Sequence, residues 1–225
     1  MIIVTGAGAG IGLACVRELR ARGHRVAGLD RRPGRESDVD LEVDVSDVDA
    51  VTAAVKEATE RLGKPTGILS AAGYVEEIPL KDISPGHFEK MLGVHLGGLV
   101  HLTRAAVPLM TDGGSVVAVA SELALTGGDD AAHYVAAKGA ILGLVRTLAV
   151  ELADAGVTVN AVAPGPTDTA MLAPGTIWRD PEYVAGLPTG ALVQPEEIAV
   201  TAAFLLERPA AVTGQVVSPN AGTVI

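Results

Sequence analysis

The chain has 225 residues, which suits one α/β domain spanning 1–225 and leaves little for a second. Hydrophobic residues make up 48% and aromatics only 3%, so the expected core is aliphatic. A formal net charge of −10 argues against a nucleic-acid surface, which needs clustered cations. The one small basic cluster, Arg31, Arg32 and Arg35, reads as a solvated loop. The single cysteine, Cys15, allows no disulfide within the chain and fits a reducing, cytoplasmic location. The N-terminal apolar run is too short for a signal peptide, and no apolar stretch reaches the ~18 residues of a membrane span.

A predicted strand at 2–5 runs directly into TGAGAGIG (5–12), and a helix is predicted over 10–22. Glycines at such a turn let the backbone bend tightly. They also let a pyrophosphate approach the helix N-terminus, where free N–H groups and the dipole favour an anion. The spacing matches TGxxxGxG through Gly6, Gly10 and Gly12, and matches GxGxxG in no register. A glycine-rich turn alone is weak evidence, but this one opens a strand–turn–helix unit. The second strand, 25–30, ends on Asp30, at about the distance where a carboxylate accepts hydrogen bonds from a ribose 2′-OH. The same carboxylate repels a 2′-phosphate, and Ala9 offers no cation to it, so NAD(H) is preferred. Arg31 and Arg32 can pair with a phosphate, so NADP(H) stays open. Asp30 also reads as a turn-initiating residue.

The third strand, 41–45, carries Asp44. Asp44 is equally a turn or cap residue near Ser46 and Asp47 and a partner for the adenine amino group. Helices over 47–62, 87–110, 134–153 and 195–206 alternate with strands at 67–71, 114–120, 157–163 and 215–218. The strands are apolar on both faces, as in VVAVA (116–120), which is how buried parallel strands read. The alternation predicts a doubly wound, Rossmann-type α/β fold. Residues 164–195 break the rhythm with six prolines and no periodicity. They follow a strand's carboxyl end, so 166–193 reads as a substrate lid.

Tyr134 and Lys138 are four apart on a predicted helix and share a face. Such a pair is usually structural. Here Tyr134 starts the helix after a glycine-rich loop at 126–130, and Ser121 ends a buried strand thirteen residues earlier. The three can meet at the sheet's carboxyl edge. A free tyrosine, with a pKa near ~10, is a poor base at neutral pH. An ammonium beside it favours the phenolate, so Tyr134 can take a hydroxyl proton as hydride leaves, or return one to a ketone. Ser121 can hydrogen-bond the substrate oxygen, and Lys138 can reach the nicotinamide ribose.

Taken in order, TGAGAGIG, Asp30, DV at 44–45, AAG at 71–73, Ser121, YVAAK at 134–138, NAVAPG at 160–165 and Thr169 resemble the one-domain short-chain dehydrogenases/reductases over nearly the whole chain. The resemblance implies a seven-stranded parallel sheet, a nicotinamide cofactor and catalytic roles for Ser121, Tyr134 and Lys138. It implies cofactor contacts from Gly6, Gly10, Ile11, Gly12, Asp30, Asp44 and Val45, and from Ala71, Ala72 and Gly73 along the adenosine side. Tyr134, Lys138, Pro164, Gly165, Thr167 and Thr169 would lie toward the nicotinamide. Many members are tetramers, so a homo-oligomer, dimer or tetramer, is expected, and no metal.

The chain departs from the family pattern at three places. Where the family has a VN pair, this chain has Val94 and His95. That asparagine is thought to hold a water in a proton relay behind the lysine, and His95 can itself donate and accept protons. SAAG (70–73) stands for NNAG, and PNAG (219–222) for VDGG. In the lid, Met171, Leu172, Ile177, Trp178, Tyr183 and Leu187 are apolar candidates for substrate contact, and Arg179 reads as solvated. VASELALT (119–126) and PGPTDTAM (164–171) look similar to 2,3-dihydro-2,3-dihydroxybenzoate dehydrogenases. The expected function is hydride transfer between NAD(H) and a small secondary alcohol or ketone, with a cyclic alcohol or dihydrodiol as candidates. An NADPH-dependent carbonyl reductase and a non-catalytic cofactor-sensing protein are the alternatives.

Overall fold

Seven parallel strands form one sheet in the order β3-β2-β1-β4-β5-β6-β7 in the computed structural model, which describes residues 1–172, 175–207 and 211–224. The strands are β1 (Ile2–Thr5), β2 (Val26–Asp30), β3 (Val39–Glu42), β4 (Gly67–Ser70), β5 (Gly114–Val119), β6 (Val157–Val162) and β7 (Val216–Val217). Successive strand residues point to opposite faces, and both faces are covered. Ile3, Leu29, Ile68, Val116 and Val159 meet helices α2 (Val48–Leu62), α4 (Gly98–Ala106) and α6 (Ala132–Glu151). Their neighbours Ile2, Val4, Leu69 and Val117 meet α1 (Gly10–Ala21) and α8 (Pro195–Leu206). Both cores are almost wholly aliphatic, as composition requires.

The strand order reverses between β1 and β4, which pair side by side from Ile2↔Gly67 to Thr5↔Ser70. Connections leaving the two strands in opposite directions open a crevice at their carboxyl ends, the place where such sheets bind ligands.

The elements depart from the sequence expectation in four places. The third strand is Val39–Glu42 rather than 41–45, because pairing with β2 begins at Ala27↔Val39 and the Asp38 side chain caps it by accepting from Val26 N–H. Asp44 and Val45 therefore follow the strand. The helix expected over 87–110 is divided. It starts earlier as α3 (Pro85–Leu92), whose Ser84 cap accepts from His87 N–H, passes through a π turn at Gly93–Gly97, and resumes as α4. The loop after Ser121 contains a short helix, α5 (Leu123–Thr126), and α6 begins two residues before Tyr134. The lid carries a 3-10 turn (Ile177–Arg179) and α7 (Pro181–Gly186), while its residues 173 and 174 lie outside the described residues.

Candidate active site

The glycine loop closes on itself and on β4. Gly6 has φ +69°, and a Cβ there would lie 2.8 Å from the Ala72 nitrogen. Gly10 has φ +51°, and a Cβ on Gly12 would collide with the Gly6 carbonyl oxygen. α1 opens behind Ala9 with no side-chain cap and no acidic residue in its first turn. Gly10, Ile11 and Gly12 thus present an unneutralised helix end to the crevice, which fits a dinucleotide's pyrophosphate. Across the crevice, the Thr5 hydroxyl oxygen accepts from Ala71 N–H at 3.1 Å and Ala72 N–H at 3.2 Å, fixing the AAG segment against β1.

Asp30 stands beside this loop with its carboxylate oriented. One oxygen accepts from Gly8 N–H at 3.0 Å and the other from Arg32 N–H at 2.9 Å. Asp44 folds back on Ser46, accepting from its N–H at 2.9 Å and its hydroxyl at 2.6 Å. Those bonds hold its carboxyl below the usual range. The turn role is therefore filled. Val45 is buried against Gly98 at the root of α4.

Ser121, Tyr134 and Lys138 come together, all buried, past the end of β5 and on the first turns of α6. The Lys138 ammonium donates to the Val119 carbonyl at 2.7 Å and lies 5.7 Å from the centre of the Tyr134 ring. The Ser121 hydroxyl oxygen accepts from Leu123 N–H at 3.2 Å, which orients it and leaves its own proton to donate. The electrostatics differ from expectation. Burial pushes the Tyr134 hydroxyl up to about 12, the Ser121 hydroxyl opposing it, and burial alone pushes Lys138 down to about 7. Lys138 does not bring the tyrosine down here: desolvation sets the direction, and the lysine side chain donates to a backbone carbonyl.

His95 sits in the π turn with its ring edge-on to Tyr134, centroids 5.6 Å apart. Its Nε2 faces the Tyr74 carbonyl oxygen at 2.9 Å, and its buried Nδ1 has no hydrogen-bond partner. Burial, with the Lys138 charge adding to it, lowers His95 to about 3, so the ring is neutral near pH 7.

The lid's root is tied to the sheet. The Thr167 hydroxyl donates to the Gly165 carbonyl at 2.8 Å, and a Cβ on Gly165 would lie 2.6 Å from Asn220 Cα. Pro164 accepts from Glu122 N–H at 3.0 Å, and the Thr169 methyl lies against Gly10. Arg179 is not the solvated residue expected. It binds Asp168 at 2.6 Å and donates to the carbonyls of Leu172 and Thr169, stapling the lid internally. Trp178 donates to Glu77 at 2.9 Å and meets Tyr183 edge-on at 5.3 Å. The sequence reading missed Glu122, a buried carboxyl directly after Ser121. A charged residue in the first position past a buried strand and its serine was the available signal.

Residues 6–223 match the family model described as enoyl-(acyl carrier protein) reductase, which is a short-chain dehydrogenase/reductase model. The chain belongs to the short-chain dehydrogenase/reductase family. Like other family members it is an oxidoreductase. This short-chain dehydrogenase/reductase is 34% identical to an acetoacetyl-CoA reductase of Synechocystis sp., over 98% of this chain and 94% of that one. It is 32% identical to a cis-4-hydroxycyclohexanecarboxylate dehydrogenase of Sinomonas cyclohexanicum, over 98% and 94%. A crystal structure of a Brucella melitensis 3-ketoacyl-(acyl-carrier-protein) reductase complexed with NADH superposes with a TM-score of 0.91 at 26% identity, covering 100% of this chain and 98% of that one. None of these three bears the dihydrodiol dehydrogenase name. Among the described residues, no helix is long and apolar enough to cross a membrane.

Proposed function

We propose that this chain, acting as a single domain, catalyses reversible hydride transfer between NAD(H) and a small secondary alcohol or ketone, cyclic alcohols and diols included. The observation that carries the reading is the buried set of Ser121, Tyr134 and Lys138 beside an uncapped helix end at the sheet's reversal point. Bound NAD(H) supplies or accepts the hydride.

The residues divide the remaining work. Ser121 donates its hydroxyl proton as a hydrogen bond to the substrate oxygen. In the reducing direction Tyr134, protonated at neutral pH, gives its proton to that oxygen as it gains negative charge. Lys138, near its own midpoint at pH 7, returns a proton to the phenolate. Oxidation runs the same transfers backward. His95 acts as a neutral ring, supporting Tyr134 and offering its Nδ1 lone pair, and not as an imidazolium. In this reading Asp30, its carboxylate oriented by two backbone donors, accepts from the ribose hydroxyls, which favours NAD(H) over NADP(H). Gly6, Gly10, Ile11, Gly12, Asp44, Val45, Ala71, Ala72, Gly73, Pro164, Gly165, Thr167 and Thr169 complete the cofactor cleft in this reading. The reading extends to a cytoplasmic homo-oligomer, which the family resemblance suggests.

The test is binding of NADH against NADPH, then nicotinamide absorbance across a panel of small ketones, cyclic alcohols and diols. Tighter NADH binding, with turnover abolished by Tyr134→Phe, is the expected result. Failure of both cofactors to bind would overturn the reading.

A further inference from the structure

Tyr74, the first residue after the AAG segment, has no part in the chemistry outlined above, yet it meets His95 in two ways. Its backbone stands at the imidazole Nε2, the carbonyl oxygen at 2.9 Å and the N–H at 3.3 Å. Its ring packs on the imidazole, centroids 5.7 Å apart and tilted by 35°. The same imidazole meets Tyr134 edge-on, centroids 5.6 Å apart at 87°. Tyr74, His95 and Tyr134 thus form a run of three rings in which His95 is the shared member. The outer end of the run is held by Lys90, in the last turn of α3. Its ammonium lies 4.9 Å from the centre of the Tyr74 ring and 3.8 Å from the Glu76 carboxylate, tying the 74–76 segment to the helix.

The π turn that carries His95 has glycine at both ends, Gly93 and Gly97, and Gly98 opens α4, so its neighbours in the chain do little to wedge the ring. The buried Nδ1 has no hydrogen-bond partner, so the imidazole is fixed through Nε2 and through packing. The Tyr74 hydroxyl is likewise buried and bonded to nothing among the described residues. What Tyr74 contributes is its ring and its backbone, and its phenol oxygen is idle.

We infer that Tyr74 is a positioning residue for the proposed reaction: it holds the His95 ring, and through that ring it sets the orientation of Tyr134. The inference rests on the reading of Tyr134 as the proton donor. An edge-on aromatic contact is directional, so a fixed imidazole limits where the phenol ring can turn. Proton transfer needs the Tyr134 hydroxyl within hydrogen-bond reach of the substrate oxygen, and small misplacements caused by distant residues are costly in rate. Tyr74 acts through His95 and not on the reacting atoms.

The chain has three tyrosines, Tyr74, Tyr134 and Tyr183, so NMR of the full chain labelled at tyrosine gives three sets of ring signals, and the Tyr134 set is the one lost in Tyr134→Phe. With NAD⁺ present, Tyr74→Leu should shift the Tyr134 signals in the folded protein. Tyr74→Phe, which keeps the ring and drops only the unbonded hydroxyl, should leave them in place. In a His95→Leu background, Tyr74→Leu should move them no further. Across the panel of ketones, Tyr74→Leu should lower kcat by about tenfold and leave KM for NADH within about threefold, while Tyr74→Phe keeps full turnover. Lys90→Ala, a change at the surface end of the run, stands in if the leucine variant does not fold and should shift the same signals by less. Tyr134 signals unmoved by Tyr74→Leu, or by Lys90→Ala in its place, overturn the inference alone. So does equal loss in the leucine and phenylalanine variants, or a shift with undiminished turnover. Turnover that survives Tyr134→Phe overturns the underlying reading and this inference with it.

Discussion

The imidazole of His95 fills the space in which a side chain at Gly73 would begin. A Cβ on Gly73 would lie 2.9 Å from His95 Nδ1. Gly73 has no left-handed φ to demand glycine, so its role is room. The histidine in place of the family's asparagine and the glycine closing the AAG segment are one packing unit.

Gly73→Ala should therefore destabilise the fold by about 1–3 kcal/mol through overpacking, read from urea unfolding. Combining it with His95→Asn, which shortens the ring side chain, should recover at least about 1 kcal/mol of that loss. Additive effects would show that the two positions do not share the space.

Tyr134→Phe should lower turnover by about a hundredfold or more, the span typical of a lost proton donor. NADH affinity, followed by nicotinamide fluorescence, should change by no more than about threefold, because the hydroxyl serves the substrate. A proportional loss of cofactor binding would assign the residue to the cleft wall.

Lys138 links activity and stability to pH in opposite senses. Burial lowers its folded value from 10.5 to about 7. Between those values the unfolded chain holds a proton that the folded chain does not. Raising the pH through that window thus favours folding, by up to about 1.4 kcal/mol per pH unit from this group. Lys138→Met should lose that slope and be the more stable protein at pH 7, while losing turnover. In the unmodified enzyme, ketone reduction should fall as pH rises past about 7, because the lysine then has no proton to return. Paired denaturation curves and a pH–rate profile check both halves.

Asp30→Ala should weaken NADH binding by about tenfold and narrow the preference over NADPH. It removes the acceptor for Gly8 N–H and Arg32 N–H, so a loss of about 1–3 kcal/mol in stability should accompany it. A cofactor titration beside a thermal melt separates the effects. An unchanged NADH to NADPH ratio would place Asp30 in loop support alone.

Much of the architecture was legible in the residues. The apolar strands, the TGxxxGxG turn and the 3.6-residue periods report local backbone preference and burial on both sheet faces, which do not depend on distant partners. The doubly wound sheet and the meeting of Ser121, Tyr134 and Lys138 followed from them. The third strand was misread because VDV at 43–45 looks like a strand end, while pairing with β2 is settled by the Asp38 cap upstream. The helix at 87–110 was read as continuous because a π turn changes one hydrogen-bond step without changing residue type. Arg179 was read as solvated because its partner Asp168 and the carbonyls it reaches are brought together only by the lid's fold.

By itself, the sequence determined which residue types stand at the sheet's carboxyl edge, and in what order. Local propensity and side-chain period are properties of adjacent residues. Only the tertiary structure decided how those groups are charged and what they can meet. Lys138 near neutrality, Tyr134 held protonated, His95 kept neutral and the Glu122 carboxyl pushed up to about 7 all arise chiefly from desolvation by the packed fold. Desolvation depends on what covers a group, and cover is a property of the packed fold.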